Sequence, residues 1–297
     1  MKPPPFDYFA PNSVSEAVSL LKEYGEEAKV LAGGQSLVPL LNMRLARPAV
    51  LVDINRIHDL DYVRLDDGVL SIGAIARHRT VERSGEVHRG QPLLAEAVRH
   101  IAHPQIRNRG TLGGSIAHAD PAAELPAVCL ALAAEMRAVG PEGERWIKAE
   151  DFFITYLTTA LGLDELLTEV RFPLPGPNTG WGFREVSRRH GDFALAGAAA
   201  TVTADSDGRC TAARLALFGV AGTPLRPRAT DRILVGEIIT PEVLTAAAEA
   251  VAGEIEEPIS DIHASSEFRR HLAKTLARQA LADAATRAAN QVDEETR

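Results

Sequence analysis

Cysteine is nearly absent: Cys129 and Cys210 are the only two in 297 residues, far apart and with no CxxC spacing. An iron–sulfur cluster needs about four thiolates, and a structural zinc site needs several Cys or His at short spacing. Neither is held here by cysteine alone. The nine histidines are scattered, with no HExxH and no i, i+4 pair on a convincing helix, so a metal site is not expected. Long apolar runs are also missing. The longest weakly polar stretch, 193–204, is mostly Ala and Gly and falls short of the ~18 residues of a membrane span. The opening MKPPPFDYFAP has three prolines where a secretory signal carries its apolar core, which leads us to expect a cytoplasmic protein. Positive charge is in deficit, 32 Lys and Arg against 40 Asp and Glu, and the resulting −8 repels a phosphate backbone. Nucleic acid is therefore not an expected partner. No Ser-His-Asp spacing is evident either, so no catalytic side chains are assigned.

What remains is an ordinary globular composition, 45% hydrophobic and 24% charged, with length enough for two domains at ~150 residues each. In SVSEAVSLLKEYG, Ser13 and Glu16 have capping-box spacing, Val14, Ala17, Val18 and Leu21 recur at helical period, and Gly25 is the stop. AKVLA reads as a strand running into Gly33 and Gly34, SLVPLLNMRLA as a helix, and AVLVDIN as a second strand. VRLDDGVLSIGA is a hairpin turning at Asp67-Gly68. Short helices follow around Val81 and over 92–101. The stretch from His103 to Pro126 is rich in loop formers, and a loop of that length in mid-chain suggests function. An Ala-rich buried helix, a strand and the strand ending at Pro173 come next. Prolines 173, 175 and 177 with Gly176 and Gly180 form the clearest linker. Beyond them three strands are followed by Ala-rich helices, an α+β pattern, with a frayed tail at 289–297. No repeat of solenoid period is visible.

Two glycine pairs carry the chemistry: AGGQS at 32–36 and TLGGS at 111–115. A Gly-Gly turn lets backbone N–H groups converge without Cβ obstruction, and the following Ser adds a hydroxyl donor, a combination suited to pyrophosphate. Either pair alone is explained by a tight turn. Both follow one form, and neither has GxGxxG or GxxxxGK[ST] spacing, so a Rossmann or P-loop site is not indicated. Arg107 and Arg109 fit pyrophosphate neutralisation and a solvated loop face equally, and Asp53 and Asn55 read as turn formers.

With FDYFAPNSVSEAVSLL, VLAGGQSLVPLLNMRLARP, LVDINRI, RNRGTLGGSIAHADPAAELP and SRRHGDFALAG in place, the chain resembles, over nearly its whole length, the FAD-binding medium subunits of molybdenum hydroxylases. That group includes aerobic carbon monoxide dehydrogenase and xanthine dehydrogenase. The resemblance implies an α+β protein: a two-subdomain FAD-binding domain of vanillyl-alcohol-oxidase (PCMH) type over 1–175, then a smaller α+β domain over 176–288. It implies FAD as cofactor, with Ala32, Gly33, Gly34, Gln35, Ser36, Thr111, Leu112, Gly113, Gly114 and Ser115 at the pyrophosphate and Leu31 and Leu37 flanking the first loop. Glu124, with Asp120 close by, stands where the family has an acidic residue near the adenosine. His118 is a neighbour of adenine or phosphate, or a loop histidine satisfied by backbone. Arg184 lies where some relatives have a Lys contacting the cofactor. His190 and Asp192, in the loop from Ser187, approach the flavin ring. The sequence departs from the family pattern at Gly34, Gln35 and Ser115, and it lacks the extra cysteines that some relatives use for an additional cluster.

The function implied is that of an oxidoreductase subunit: substrate oxidation at a large molybdopterin-binding subunit, electrons through a small [2Fe–2S] subunit, and transfer through FAD to an external acceptor. The expected assembly is a dimer of heterotrimers. The alternative is a self-contained FAD-dependent oxidase or reductase with its own substrate pocket.

Overall fold

The computed structural model describes residues 1–295. It opens with Asp7–Phe9 (β1), Val14–Tyr24 (α1), Ala28–Leu31 (β2), Leu37–Asn42 (α2) and Val50–Asp53 (β3). Ser13 caps α1 by accepting the Glu16 amide, and the Glu16 carboxylate in turn accepts the Asn12 amide at 2.8 Å. The helix buries Ala17, Val18 and Leu21 and stops at Gly25, whose φ is 50°. The strands form a small parallel sheet, β1-β3-β2, with Tyr8 opposite Leu51 and Val30 opposite Val52.

A second, antiparallel sheet follows. Val63–Asp66 (β4) and Val69–Gly73 (β5) are joined at Asp67 and Gly68, both at positive φ, as the tight hairpin turn requires. Six helices come next: His78–Arg83 (α3), Gly85–Gly90 (α4), Pro92–His100 (α5), Pro104–Arg107 (α6), Leu112–His118 (α7) and Glu124–Ala131 (α8). Glu135–Gly140 (β6), Gly143–Lys148 (β7), Ala149–Phe152 (α9), Phe153–Thr155 (β8), Thr158–Thr159 (β9) and Leu166–Pro173 (β10) complete this part. The sheet order is β4-β5-β10-β6-β7. Every residue of α8 is buried, so this helix has no polar face and runs through the core.

The long loop expected from His103 to Pro126 is instead mostly helical. Pro104 sits in the first turn of α6, and Thr111 caps α7. Gly113 reads as a loop former, yet it lies inside α7 because a Cβ there would stand 2.6 Å from Ala74. Close approach, and not a turn, explains that glycine.

The last part holds Thr179–Ser187 (β11), Ala194–Ala204 (β12), Cys210–Phe218 (β13), Ala229–Leu234 (α10), Pro241–Ala250 (α11) and Ser266–Glu295 (α12). The three strands are antiparallel in the order β11-β12-β13. One sheet face packs on α12 so closely that a Cβ on Gly180 or Gly182 would meet the carbonyls of Ala284 and Ala280 at about 2 Å. The other face, through Phe183, Ala199, Ala216 and Phe218, joins the core formed by α5, α8 and the second sheet. The frayed tail expected from 289 is a continuation of α12 as far as Glu295, and residues 296 and 297 lie outside the described residues.

Candidate functional site

The AGGQS motif links β2 to α2. Gly34 has φ +72°, a conformation favouring glycine. Among the described residues, the N–H groups of Gly33, Gly34, Gln35 and Ser36 donate to no protein acceptor, and the Ser36 hydroxyl caps nothing. The Gln35 side-chain amide folds back onto the Gly33 carbonyl at 2.9 Å. Four consecutive free amides on a half-buried turn are the donors that an anion-binding nest requires.

TLGGS is built differently. Leu112 and Gly113 donate their amides to the carbonyls of Ala76 and Ala74, each at 2.9 Å. The Thr111 hydroxyl accepts from Gly114 at 3.0 Å, and the Thr111 carbonyl accepts from Ser115 at 3.1 Å. Only the Thr111 amide lacks a protein acceptor, so this motif offers one N–H group and the hydroxyls of Thr111 and Ser115. The converging amides expected of it are engaged by the protein, because α7 starts here and needs its cap.

Gly33 joins the two motifs. A Cβ on it would stand 2.5 Å from the Arg109 carbonyl and 2.7 Å from Gly110 Cα, so the two backbones touch. A side-chain network holds them in register. Arg77 donates to the Arg109 carbonyl and to Asn55 Oδ1 at 2.6 Å, and Asn55 Nδ2 donates to the Ala32 carbonyl at 2.8 Å. Asp53 accepts from the Asn55 amide at 2.9 Å and from the Tyr8 hydroxyl at 2.6 Å. Burial pushes the Asp53 carboxyl up, but the hydrogen bonds from Tyr8 and Asn55 outweigh it and hold the group below its ordinary value. His78 lies beneath the second motif with Nε2 2.8 Å from the Thr111 carbonyl, and burial lowers its pKa to about 4. It is therefore the neutral Nε2–H tautomer, donating to Thr111.

Sequence reasoning missed Arg77 and His78 and assigned Asn55 only to a turn. The Asp-x-Asn spacing was the one local signal; the partners of Arg77 lie 22 and 32 residues away. Arg107 is settled as structural, since it is buried, pairs with Glu82 at 3.1 Å and donates to the carbonyls of Ile101 and Ala102.

Of the remaining expected residues, Leu31 ends β2 and Leu37 begins α2, on either side of the nest. His118 ends α7, half-buried, and its ring has no hydrogen bond among the described residues. Asp120 accepts the Ala122 amide at 2.8 Å and shapes the turn into α8. Glu124, the first residue of α8, is 8% exposed; burial, with Asp120 adding, pushes its carboxyl up to about 7. A second acid joins it from the last sheet. Glu185 is pushed up to about 8 by burial and then by Glu124, and its Oε2 has no partner.

Arg184 does not join this group. Alternate residues of a strand face opposite sides, and Arg184 shares the α12 face with Gly180 and Gly182, where it pairs with Asp283 at 2.7 Å. Glu185 occupies the other face. The Ser187–Asp192 loop packs on the first part of the chain: His190 stacks over His100 at 6.5 Å, and a Cβ on Gly191 would stand 2.7 Å from the His103 ring. Asp192 closes the loop through its amide to the Arg189 carbonyl and a 3.9 Å pairing with Arg188. No group of three or more His, Cys, Asp or Glu able to hold a metal occurs among the described residues. No described helix is long and apolar enough to cross a membrane.

Free amides and hydroxyl donors on a half-buried turn fit the pyrophosphate of a dinucleotide, and the comparisons with known proteins agree. Residues 4–175 match the FAD binding domain in molybdopterin dehydrogenase, and residues 181–284 match the CO dehydrogenase flavoprotein C-terminal domain. The chain is 43% identical over 288 residues to the 6-hydroxypseudooxynicotine dehydrogenase complex subunit alpha of Paenarthrobacter nicotinovorans, covering 97% of each. It is 42% identical to the caffeine dehydrogenase subunit beta of Pseudomonas sp. strain CBB1, again covering 97% of each. In three dimensions it superposes on a chain of carbon monoxide dehydrogenase from Hydrogenophaga pseudoflava with a TM-score of 0.94 at 40% identity, covering 97% of this chain and 99% of that one.

Proposed function

The chain belongs to the FAD-binding medium subunits of the molybdenum hydroxylases, and from that premise we propose that it passes electrons from a small [2Fe–2S] subunit to an external acceptor. Substrate oxidation falls to a large molybdopterin-binding subunit, and the working assembly is a dimer of heterotrimers in the cytoplasm. Bound FAD supplies a carrier that takes up and releases two electrons. The protein's part is to hold and orient it.

The four free amides of Gly33 to Ser36 carry this reading. They hold the pyrophosphate, with the Thr111 amide and the Thr111 and Ser115 hydroxyls on its other side. Leu31 and Leu37 wall the loop, while His118, Asp120 and Glu124 line the adenosine side. His190 and Asp192 border the ring and screen it from solvent. The division at about residue 175 places the pyrophosphate donors in the first domain and the 187–192 loop in the second, and the limits of the two family matches support it.

Relatives named for dehydrogenases of 6-hydroxypseudooxynicotine, caffeine, carbon monoxide and glyceraldehyde share 36–43% identity with this chain. Such breadth fits a subunit that does not touch the substrate. The test is to purify the chain alone and from its native source. We expect FAD on the isolated chain, electron transfer from dithionite to an artificial acceptor, and no oxidation of organic substrates. From the native source it should copurify with a large chain and a Cys-rich small one. Substrate turnover by the isolated FAD-loaded chain would instead support the self-contained oxidase.

A further inference from the structure

Arg269, in the first turn of α12, is only 3% exposed and holds three separate segments at once. Its Nη1 donates to the Leu195 carbonyl at 2.5 Å and to the Gly219 carbonyl at 2.7 Å, and its Nη2 donates to Asp261 at 2.7 Å. Leu195 is the second residue of β12, where the chain re-enters the sheet after the Ser187–Asp192 loop. Asp261 accepts the amides of His263 and Ala264 at 2.8 and 3.0 Å and so fixes the turn that carries His263. His263 Nδ1 accepts from Arg188 at 3.2 Å, the one hydrogen bond by which a side chain of the loop reaches beyond it among the described residues. Both ends of the loop are thus tied to Arg269. The Gly219 contact leads the other way. Gly219, at φ +73°, donates its amide at 2.7 Å to the carbonyl of Pro121, in the turn that Asp120 shapes. A guanidinium presents its donors in a rigid planar fork, so the three acceptors share one geometry, which the point charge of an ammonium would not impose.

We propose that Arg269 is a positioning residue that couples the 187–192 loop to the turn at Pro121, so that occupancy of the adenosine side of the cofactor site orders the loop beside the flavin ring. This rests on the cofactor placement given under the proposed function. Arg269 reaches neither end itself: it acts through Asp261, His263 and Arg188 on one branch and through Gly219 on the other. Coupling of this kind is reciprocal, so ordering the loop tightens the adenosine side by the same factor.

The experiment follows hydrogen exchange of the amides over 187–193 and 119–123 in the full chain without nucleotide, with ADP and with FAD. ADP carries adenosine and pyrophosphate but no flavin ring, so protection that it confers on the loop has travelled through the protein. We expect ADP to slow exchange of the loop by about fivefold, the lower range of measured couplings. Asp261→Asn and Arg188→Ala, at side chains 39% and 55% exposed and so tolerant of change, cut only the branch to the loop. Each should speed loop exchange and abolish its response to ADP, while changing ADP affinity by no more than the coupling factor. Arg269→Lys cuts both branches and should in addition weaken ADP more than either. In the FAD-loaded chain the same three variants should alter the rate of flavin reoxidation at equal FAD content. A residue that only stabilised the fold would speed exchange across the whole second domain and leave the response to ADP in place. ADP binding without protection of the native loop, or an unchanged response in Asp261→Asn and Arg188→Ala, would overturn the coupling. Failure of the native chain to bind either nucleotide would instead overturn the cofactor placement, and loop exchange without nucleotide then decides: faster exchange in Asp261→Asn supports the tie to Arg269, and unchanged exchange overturns it.

Discussion

AGGQS and TLGGS look alike in sequence, but the fold uses them in opposite ways. The first leaves four amides free, and its Gly33 is pressed against the backbone of residues 109–110. The second directs its amides into the protein and uses Gly113 to lay α7 against Ala74. In the proposed function the first motif supplies most of the donors, and the second adds only the Thr111 amide and two hydroxyls while forming the surface on which the first is shaped. A glycine pair therefore reports a close approach without saying to what.

The largest effect should come from Gly33→Val. Its added atoms meet the Arg109 carbonyl, which is backbone and cannot swing aside, so the motifs must separate; we expect colourless protein and a destabilisation of about 1–3 kcal/mol, in the range of overpacking. Gly113→Val clashes with Ala74 inside the helical layer and should cost at least as much stability. The distinction lies in flavin titration of the folded fraction: Gly113→Val should regain FAD when refolded protein is selected, and Gly33→Val should not. Equal FAD loss in the folded fractions would erase the contrast between the motifs.

A second contrast is one of charge. Burial raises the Glu124 and Glu185 carboxyls, which face each other, from 4.5 to about 7 and about 8. Between those limits the folded state holds protons that the unfolded chain has released, so stability falls as pH rises from about 4.5 to about 8 and levels off above. His78, lowered from 6.5 to about 4, has the opposite sign: its contribution is lost as pH falls from 6.5 towards 4. Unfolding free energies from urea titrations between pH 5 and pH 8 should decline by the order of 1 kcal/mol per pH unit. In the Glu124→Gln/Glu185→Gln double variant the decline should vanish and expose the rising limb of His78 below 6.5. A decline of the same slope in that variant would place its source elsewhere.

Much of this architecture is legible locally. The capping box of α1, the Asp67-Gly68 turn and the three strands after the proline-rich linker each announce themselves within a few residues. The stretch from 103 to 126 did not, because glycines that permit close packing cannot be told from glycines that permit turning. Which face of its strand Arg184 takes was not legible either. A strand carries its side chains at a period of two, and an offset of one residue exchanges the face on α12 for the face on the first domain. The network around Arg77 was invisible because its partners are distant in sequence and no spacing rule joins them.

That network supplies the smallest effect and the finest test of the comparison. If the second motif only shapes the first, then weakening the tie between them should reduce cofactor affinity without removing any group that touches the cofactor. Arg77 is that tie, reaching the Arg109 carbonyl on one side and, through Asn55, the Ala32 carbonyl on the other. Arg77→Met keeps much of the side-chain volume and removes the donors, leaving the motifs in contact but less firmly ordered. Loss of one or two such hydrogen bonds is worth about 1–1.5 kcal/mol, and on that scale we expect a rise of roughly tenfold in the Kd for FAD. Asn55→Ala should give a change of similar size, and the double variant should be less than additive because both residues act through one chain of bonds. Fluorescence titration of the apoprotein with FAD measures all three. Full additivity would mean that Arg77 and Asn55 support the nest separately, and the two motifs would then have to be regarded as independent halves of the site.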